Sequence, residues 1–229
     1  MIMHERIIRF SQDSFAENGI IKASALQFEF QEIGGEHAGQ IGMGYTEMTD
    51  DGQMWAVTKI RYHLYGAFSP DTDYRLVTYP RPKRGMLYQR DYQIFDMDGT
   101  HLCDGISQWC IMDFITRRII RSPKDFVGEF YTTPILPEGF LRFRPTEITP
   151  AGTYTISQSD LDGNNHTNNC RYADMVEMVM PHSGTEFSIS FSKETRLGDV
   201  IELYTSLTEQ GQTIVGGNLD GQSVFTALV

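Results

Sequence analysis

Along the first half of the chain the period of the apolar positions changes once. Between residues 22 and 33, Ala25, Leu26, Phe30 and Ile33 recur at helical spacing, and Gly34-Gly35 follow as a natural C-terminal stop. From residue 54 the pattern turns to alternation. The run Met54-Trp-Ala-Val-Thr-Lys-Ile-Arg-Tyr-His-Leu-Tyr65 carries the β-branched and aromatic residues of a strand, and residues 74–80, 86–95 and 101–112 read the same way. The breaks hold Pro70 with Asp71 and Asp73, then Pro80 to Gly85, then Asp96-Met-Asp-Gly99, whose closing Asp-Gly is a strong hairpin signal. One helix followed by an antiparallel meander is the expected plan of this half.

The second half repeats that order. Tyr172, Ala173, Val176, Val179 and Met180 share one face of a helix over 169–180 that Pro181 stops, and strands are expected at 186–195, 200–208, 212–218 and 222–229. Setting the helices in register at an offset of 146 residues brings Leu161 to His166 opposite Phe15 to Ile20. Asn164 then matches Asn18, whereas His166 faces Ile20 and Asp162 faces Ala16, so a duplication would have left a polar constellation in the second copy alone. Residues 122–150 hold Pro123, Pro134, Pro137, Pro145 and Pro150 and break both patterns, as an interdomain connection does. The expected architecture is α+β, an antiparallel sheet wrapped around a central helix, built twice: an N-terminal domain over 1–128, a linker over 129–150 and a C-terminal domain over 151–229.

A chain of 229 residues is long enough for two such domains, and 40% apolar with 21% charged residues excludes a disordered, collagenous or coiled-coil chain. Fourteen Phe, eleven Tyr and eleven Met predict a roomy, adaptable interior. A net charge of −11 argues against general affinity for nucleic acid or anionic membranes, and no uncharged apolar run approaches the roughly 20 residues of a membrane span. The opening Met-Ile-Met-His-Glu-Arg-Ile-Ile-Arg-Phe has neither a secretory h-region nor transit-peptide character, so a cytoplasmic location is expected. Cys103, Cys110 and Cys170 cannot all pair within the chain and form no C-x-x-C, so they read as reduced thiols. His101 and Cys103 lack a third ligand, and neither a metal nor a cofactor is expected.

The densest polar stretch is Asp160-Leu-Asp162-Gly-Asn164-Asn165-His166-Thr-Asn168-Asn169. It is not a calcium loop, because Asn165 stands where Gly is required and Arg171 where Glu is required. It makes a sound turn and helix start, with Asn168 or Asn169 as cap. It also offers chemistry. In an extended segment Asp162, Asn164 and His166 point to one side, just ahead of a helix N-terminus whose free N–H groups and dipole suit a developing oxyanion. If His166 is not the base, Glu194 in Phe191-Ser-Lys193-Glu194-Thr195 is the candidate, unless it is an exposed strand carboxylate paired with Lys193 or Arg196. The glycines at 216–221 lack the lysine of a phosphate loop, Gly39, Gly42 and Gly44 miss the dinucleotide spacing, and no G-x-S-x-G is present.

Charge is uneven. Residues 151–229 hold three basic and ten acidic residues, whereas residues 75–144 hold eleven basic and eight acidic. Arg81, Lys83 and Arg84, then Arg117, Arg118, Arg121 and Lys124, form clusters that read either as solvated loop charge or as a docking patch for an acidic partner.

Taken together, Asp160 to Tyr172, Phe191 to Thr195, Arg90-Asp91, Ser107-Gln-Trp109 and Thr116-Arg-Arg-Ile-Ile-Arg121 resemble the acyl-acyl carrier protein (acyl-ACP) thioesterases of plants and bacteria. The resemblance spans nearly the whole chain. It implies a tandem hot-dog fold and hydrolysis of the thioester between a fatty acyl chain and acyl carrier protein. It places the family's catalytic Asp, Asn and His on Asp162, Asn164 and His166 and its strand glutamate on Glu194. Plant members often carry Cys directly after that Glu; here the residue is Thr195, which excludes a thiol nucleophile at that position. The route implied is water activated by Glu194, with Asn164 and His166 positioning water or carbonyl, Asp162 orienting His166 or the backbone around it, and the helix N-terminus holding the oxyanion. Direct attack by the carboxylate stays open.

The resemblance also implies an acyl-chain pocket in the first half, and it gives the basic clusters a purpose, since acyl carrier protein is acidic. The alternatives are a hot-dog acyl-CoA thioesterase, a hot-dog hydratase or dehydratase, and a non-catalytic acyl-thioester sensor. The sensor is the least favoured, because no DNA-binding element is expected before residue 20 or after residue 220. Two fused halves satisfy the usual pairing within one chain and leave a homodimer open.

Overall fold

Among the residues that the computed structural model describes, 3–121, 130–181 and 184–229, ten strands form one antiparallel sheet. The 128/129 domain boundary and Lys124 lie outside the described residues. The first half contributes β1 (His4–Arg9), β2 (Gln53–Leu64), β3 (Asp73–Pro80), β4 (Leu87–Asp96) and β5 (His101–Asp113), with helices α1 (Ala23–Gln40) and α2 (Tyr45–Asp50). The second contributes β6 (Thr149–Thr155), α3 (Asn169–Val179), β7 (Glu186–Phe191), β8 (Val200–Leu207), β9 (Thr213–Leu219) and β10 (Gln222–Leu228).

The strand order is β1-β3-β4-β5-β2-β7-β10-β9-β8-β6. Each half therefore has the same internal order, and the halves meet along β2 and β7, from Lys59 opposite Ser190 to His63 opposite Glu186. The duplication extends to the loops at the offset of 146. A turn at Gln12–Ser14 recurs at Gln158–Asp160, the bridge Phe15 to Ile21 recurs as Leu161 to Thr167, and α1 and α3 start at Ala23 and Asn169. This is the tandem hot-dog arrangement.

The apolar face of α1 places Leu26, Phe30 and Ile33 in the core, each burial stabilising by about 1.5–3 kcal/mol. Phe30 stacks on Tyr92 of β4 with centroids 4.3 Å apart. Gly105 on β5 permits this, because a Cβ there would lie 2.5 Å from the Phe30 ring. The core is continuous across the halves: Tyr62 of β2 stacks on Phe187 of β7 at 5.5 Å, and Gln31 Nε2 of α1 donates to Cys170 Sγ of α3 at 2.8 Å.

Residues 130–145 cross the opposite face of the sheet as a strap. Tyr131 packs on Tyr79 at 5.0 Å, and Ile135 N–H donates to the buried Asp91, itself paired with Arg81 at 3.2 Å. Burial raises the Asp91 carboxyl to about 6 against the pull of Arg81. Arg61 donates to the Gly139 carbonyl and pairs with Glu186 at 2.5 Å, while Leu141 and Phe143 pack on Tyr204, Ile214 and Leu228.

Three elements were not expected from the pattern: β1, α2 and β6. β1 is a charged edge strand held by pairing to β3 and by Arg6, which meets Glu29 and Glu36 of α1 at 2.5 and 2.6 Å. α1 does not stop at Gly34-Gly35 but runs on to Gln40. Gly34 is buried there against β4, where a Cβ would approach Arg90 Cδ and Tyr92 Oη to 3.4 Å, so it serves close packing, and the helix ends before Gly42 at φ 72°. The expected strand over 186–195 ends at Phe191; Ser192 and Lys193 both donate to the Val224 carbonyl, and the chain turns away to meet the loop ahead of α3.

Candidate active site

The loop ahead of α3 is built from its own side chains. Asp160 accepts from Ser157 N–H at 2.8 Å, Ser157 Oγ at 2.7 Å and Tyr154 Oη at 2.9 Å. Burial pushes its carboxyl up, but these hydrogen bonds win and hold it below its ordinary value. Two residues on, Asp162 Oδ1 accepts from Asn164 N–H at 2.8 Å and from His166 N–H at 3.1 Å, and Asp162 N–H donates to the His166 carbonyl at 2.8 Å. The segment is therefore a side-chain-closed turn and not the extended run expected from the alternation. Asn165 takes the left-handed φ of 60° that its counterpart Gly19 takes at 79°. Of the two tasks open to Asp162, it performs the second: it holds the backbone that carries Asn164 and His166.

Glu194 reaches the loop because Thr195 is tied into it. The fully buried Thr195 meets Thr167 Oγ1 at 2.7 Å and Tyr172 Oη at 2.9 Å, and its carbonyl accepts from Thr167 N–H at 2.9 Å. This brings Glu194 Oε2 to 3.7 Å from His166 Nε2, with the carboxylate partly open to solvent. Neither Lys193 nor Arg196 pairs with Glu194 among the described residues; the partner is Arg117, from the turn after β5, whose Nη2 donates to Glu194 Oε1. The same Nη2 lies 3.5 Å from His166 Nδ1, and Nη1 touches Met54 Sδ. Arg117 holds a left-handed φ of 56°, costing about 1–2 kcal/mol, and its buried Nε has no acceptor among the described residues, costing about 1–3 kcal/mol more.

Asn164 points to the other half. Its Oδ1 accepts from Tyr45 Oη of α2 at 3.1 Å, which leaves its side-chain amide donors to the site. Asn164 also lines a cavity of about 290 Å³ between α1, α2 and strands β2, β4 and β5. Met43, Met48, Met54, Trp55 and Trp109 supply an apolar, adaptable wall, while many of the aromatic residues pack in the main core instead.

The start of α3 is already capped. Asn168 Oδ1 accepts from Cys170 N–H at 3.0 Å, so that amide of the helix start is already paired.

The basic residues separate. Arg81 is buried against Asp91 and Arg117 is committed to Glu194, so neither is a surface docking residue. Arg84, Arg118 and Arg121 are exposed, and Lys83 lies half-buried 5.9 Å over the Tyr88 ring. Exposed Phe114, Ile115 and Ile119 flank Arg118 on the same turn. All three cysteines are free and buried, and burial pushes the thiols of Cys103, Cys110 and Cys170 up. Tyr45 and Met54 carry no motif in the sequence and join the site only by contact, and Arg117, expected at a docking patch, turns inward to Glu194 instead.

Comparison with known proteins gives two family matches: the acyl-ACP thioesterase N-terminal domain over residues 4–130 and the acyl-ACP thioesterase C-terminal domain over residues 145–222. A chloroplastic palmitoyl-acyl carrier protein thioesterase of Arabidopsis thaliana is 24% identical over 211 residues, 82% of this chain and 51% of that protein, so the chain spans about half the length of that curated relative. Among solved structures, an acyl-ACP thioesterase from Bacteroides thetaiotaomicron superposes with a TM-score of 0.90 at 19% identity, covering 99% of this chain and 96% of that one. The 12:0-ACP thioesterase from Umbellularia californica gives 0.83 at 18% identity, covering 100% and 96%. At these identities the structural likeness speaks to the fold.

Proposed function

The chain belongs to the acyl-ACP thioesterase family, and from that premise we propose that it hydrolyses fatty acyl thioesters of acyl carrier protein to free fatty acid and carrier thiol. One observation carries the reading: the loop ahead of α3 places Asn164 in the wall of an apolar cavity of the first half, and two residues on it holds His166 beside Glu194. An acyl chain entering that cavity would bring its thioester carbon to the polar cluster. Glu194 takes a proton from water as the water oxygen bonds to the thioester carbon, and the Asn164 amide and His166 hold the water and the developing oxyanion. Collapse breaks the C–S bond, and the carrier thiolate leaves and takes up a proton.

The acidic carrier is proposed to dock on the exposed Arg118 and Arg121 beside Phe114 and Ile115, a basic and apolar rim that adjoins Arg117 in sequence. No helix among the described residues is long and apolar enough to cross a membrane. The free, buried thiols support a reducing, cytoplasmic setting for this work in fatty acid synthesis.

The test is thiol release from a panel of acyl-ACP and acyl-CoA substrates by wild type, Glu194→Ala and His166→Ala. The expected result is turnover on carrier-bound chains that falls about 100-fold or more in each variant. Binding without thiol release would move the protein to the hydratase or sensor class.

A further inference from the structure

Arg117 belongs to the first half by sequence and to the second by contact. It closes the turn after β5 in a backbone conformation where glycine or asparagine is the usual occupant, and one of its buried donors is unmatched among the described residues. Both features oppose folding, so the stability of the turn gives no reason for an arginine there. The contacts of its guanidinium give one. Nη2 donates to Glu194 Oε1, and the other oxygen, Oε2, is the one that faces His166 Nε2 at 3.7 Å. Glu194 itself sits beyond the end of β7; the backbone is held on either side of it, but a partly exposed glutamate side chain there would otherwise sample several rotamers. A planar guanidinium directs a carboxylate in a way that a lysine ammonium does not.

We propose that Arg117 is the positioning residue for Glu194: reaching across from the first half, it occupies one carboxylate oxygen and presents the other beside His166 for proton transfer. The same arm touches Met54 on the cavity wall, so the base is aligned by the half that receives the acyl chain. This rests on the thioesterase reading of the site.

Arg117→Gly is the informative variant, because glycine suits the left-handed backbone and removes the side chain without straining the turn. With an acyl-ACP substrate, kcat falls about 100-fold while KM changes less than about threefold, and Arg117→Lys recovers only part of the loss. Millimolar guanidinium ion added to Arg117→Gly restores activity, and in a Glu194→Ala background Arg117→Gly has no further effect. Losses that multiply in the double variant, or a change confined to KM for carrier-bound substrate, would overturn the positioning role. The two readings fail separately: a wild type that releases no thiol sinks the thioesterase assignment, whereas an active wild type matched by Arg117→Gly in kcat sinks only the role of Arg117.

Discussion

Replacing Asp162 by alanine removes one oxygen that accepts two backbone hydrogen bonds, from Asn164 N–H at 2.8 Å and His166 N–H at 3.1 Å. A hydrogen bond to a charged group is worth about 1.5–3 kcal/mol; the carboxylate is half-buried, so the lower end applies to each and the expected loss is about 3 kcal/mol. In a chain of 229 residues this lowers the melting midpoint by about 6–12 °C. Asp162→Asn keeps the acceptor without its charge, and neutral pairs at about 0.5–1.5 kcal/mol each should recover about half of the loss. Activity follows the same order, because Asn164 and His166 hang from the amides that Asp162 holds and a misplacement of about 1 Å costs about 100-fold. Calorimetry and thiol release on the three proteins check this. An Asp162→Asn protein that melts like wild type yet turns over as poorly as Asp162→Ala would refute the reasoning, since the charge would then act on the imidazole or the substrate and not on the backbone.

Arg118→Glu combined with Arg121→Glu weakens turnover of carrier-bound substrate far more than of a small acyl thioester, and equal losses on both would count against the docking surface. Iodoacetamide leaves thiol release unchanged at neutral pH, because burial of Cys103, Cys110 and Cys170 disfavours their thiolates and Thr195 occupies the position next to Glu194; mass spectrometry before unfolding should find no alkylated cysteine. Gly105→Ala puts a Cβ 2.5 Å from the Phe30 ring and lowers stability by about 1–3 kcal/mol, read by chemical denaturation.

Whatever depends on neighbouring residues was legible along the chain. Alternation and turn chemistry placed β2 to β5 and β8 to β10 closely, the Asp98-Gly99 hairpin included, with Gly99 at φ 91°. Helical spacing and the Asn168 cap placed α3, and the offset of 146 foretold the repeated loop and helix. The polar run from Asp160 to Asn169 was legible as a candidate site because its turn residues and its chemistry are one segment. What lies between segments was not, because it depends on partners distant in the chain. β1 and β6 are edge strands whose residues do not alternate cleanly, and they become strands through their partners in the sheet. Gly34 reads as a helix stop until β4 packs against it. The arginines within each sequence cluster separate in space: Arg81 meets Asp91 beneath the strap while Arg84 stays exposed, and Arg117 turns in to Glu194 seventy-seven positions away while Arg118 and Arg121 stay exposed. Spacing along a chain encodes which residues share a face of one element, but which charge meets which is set by the docking of two halves, and that geometry exists only once the halves have joined into one sheet along β2 and β7.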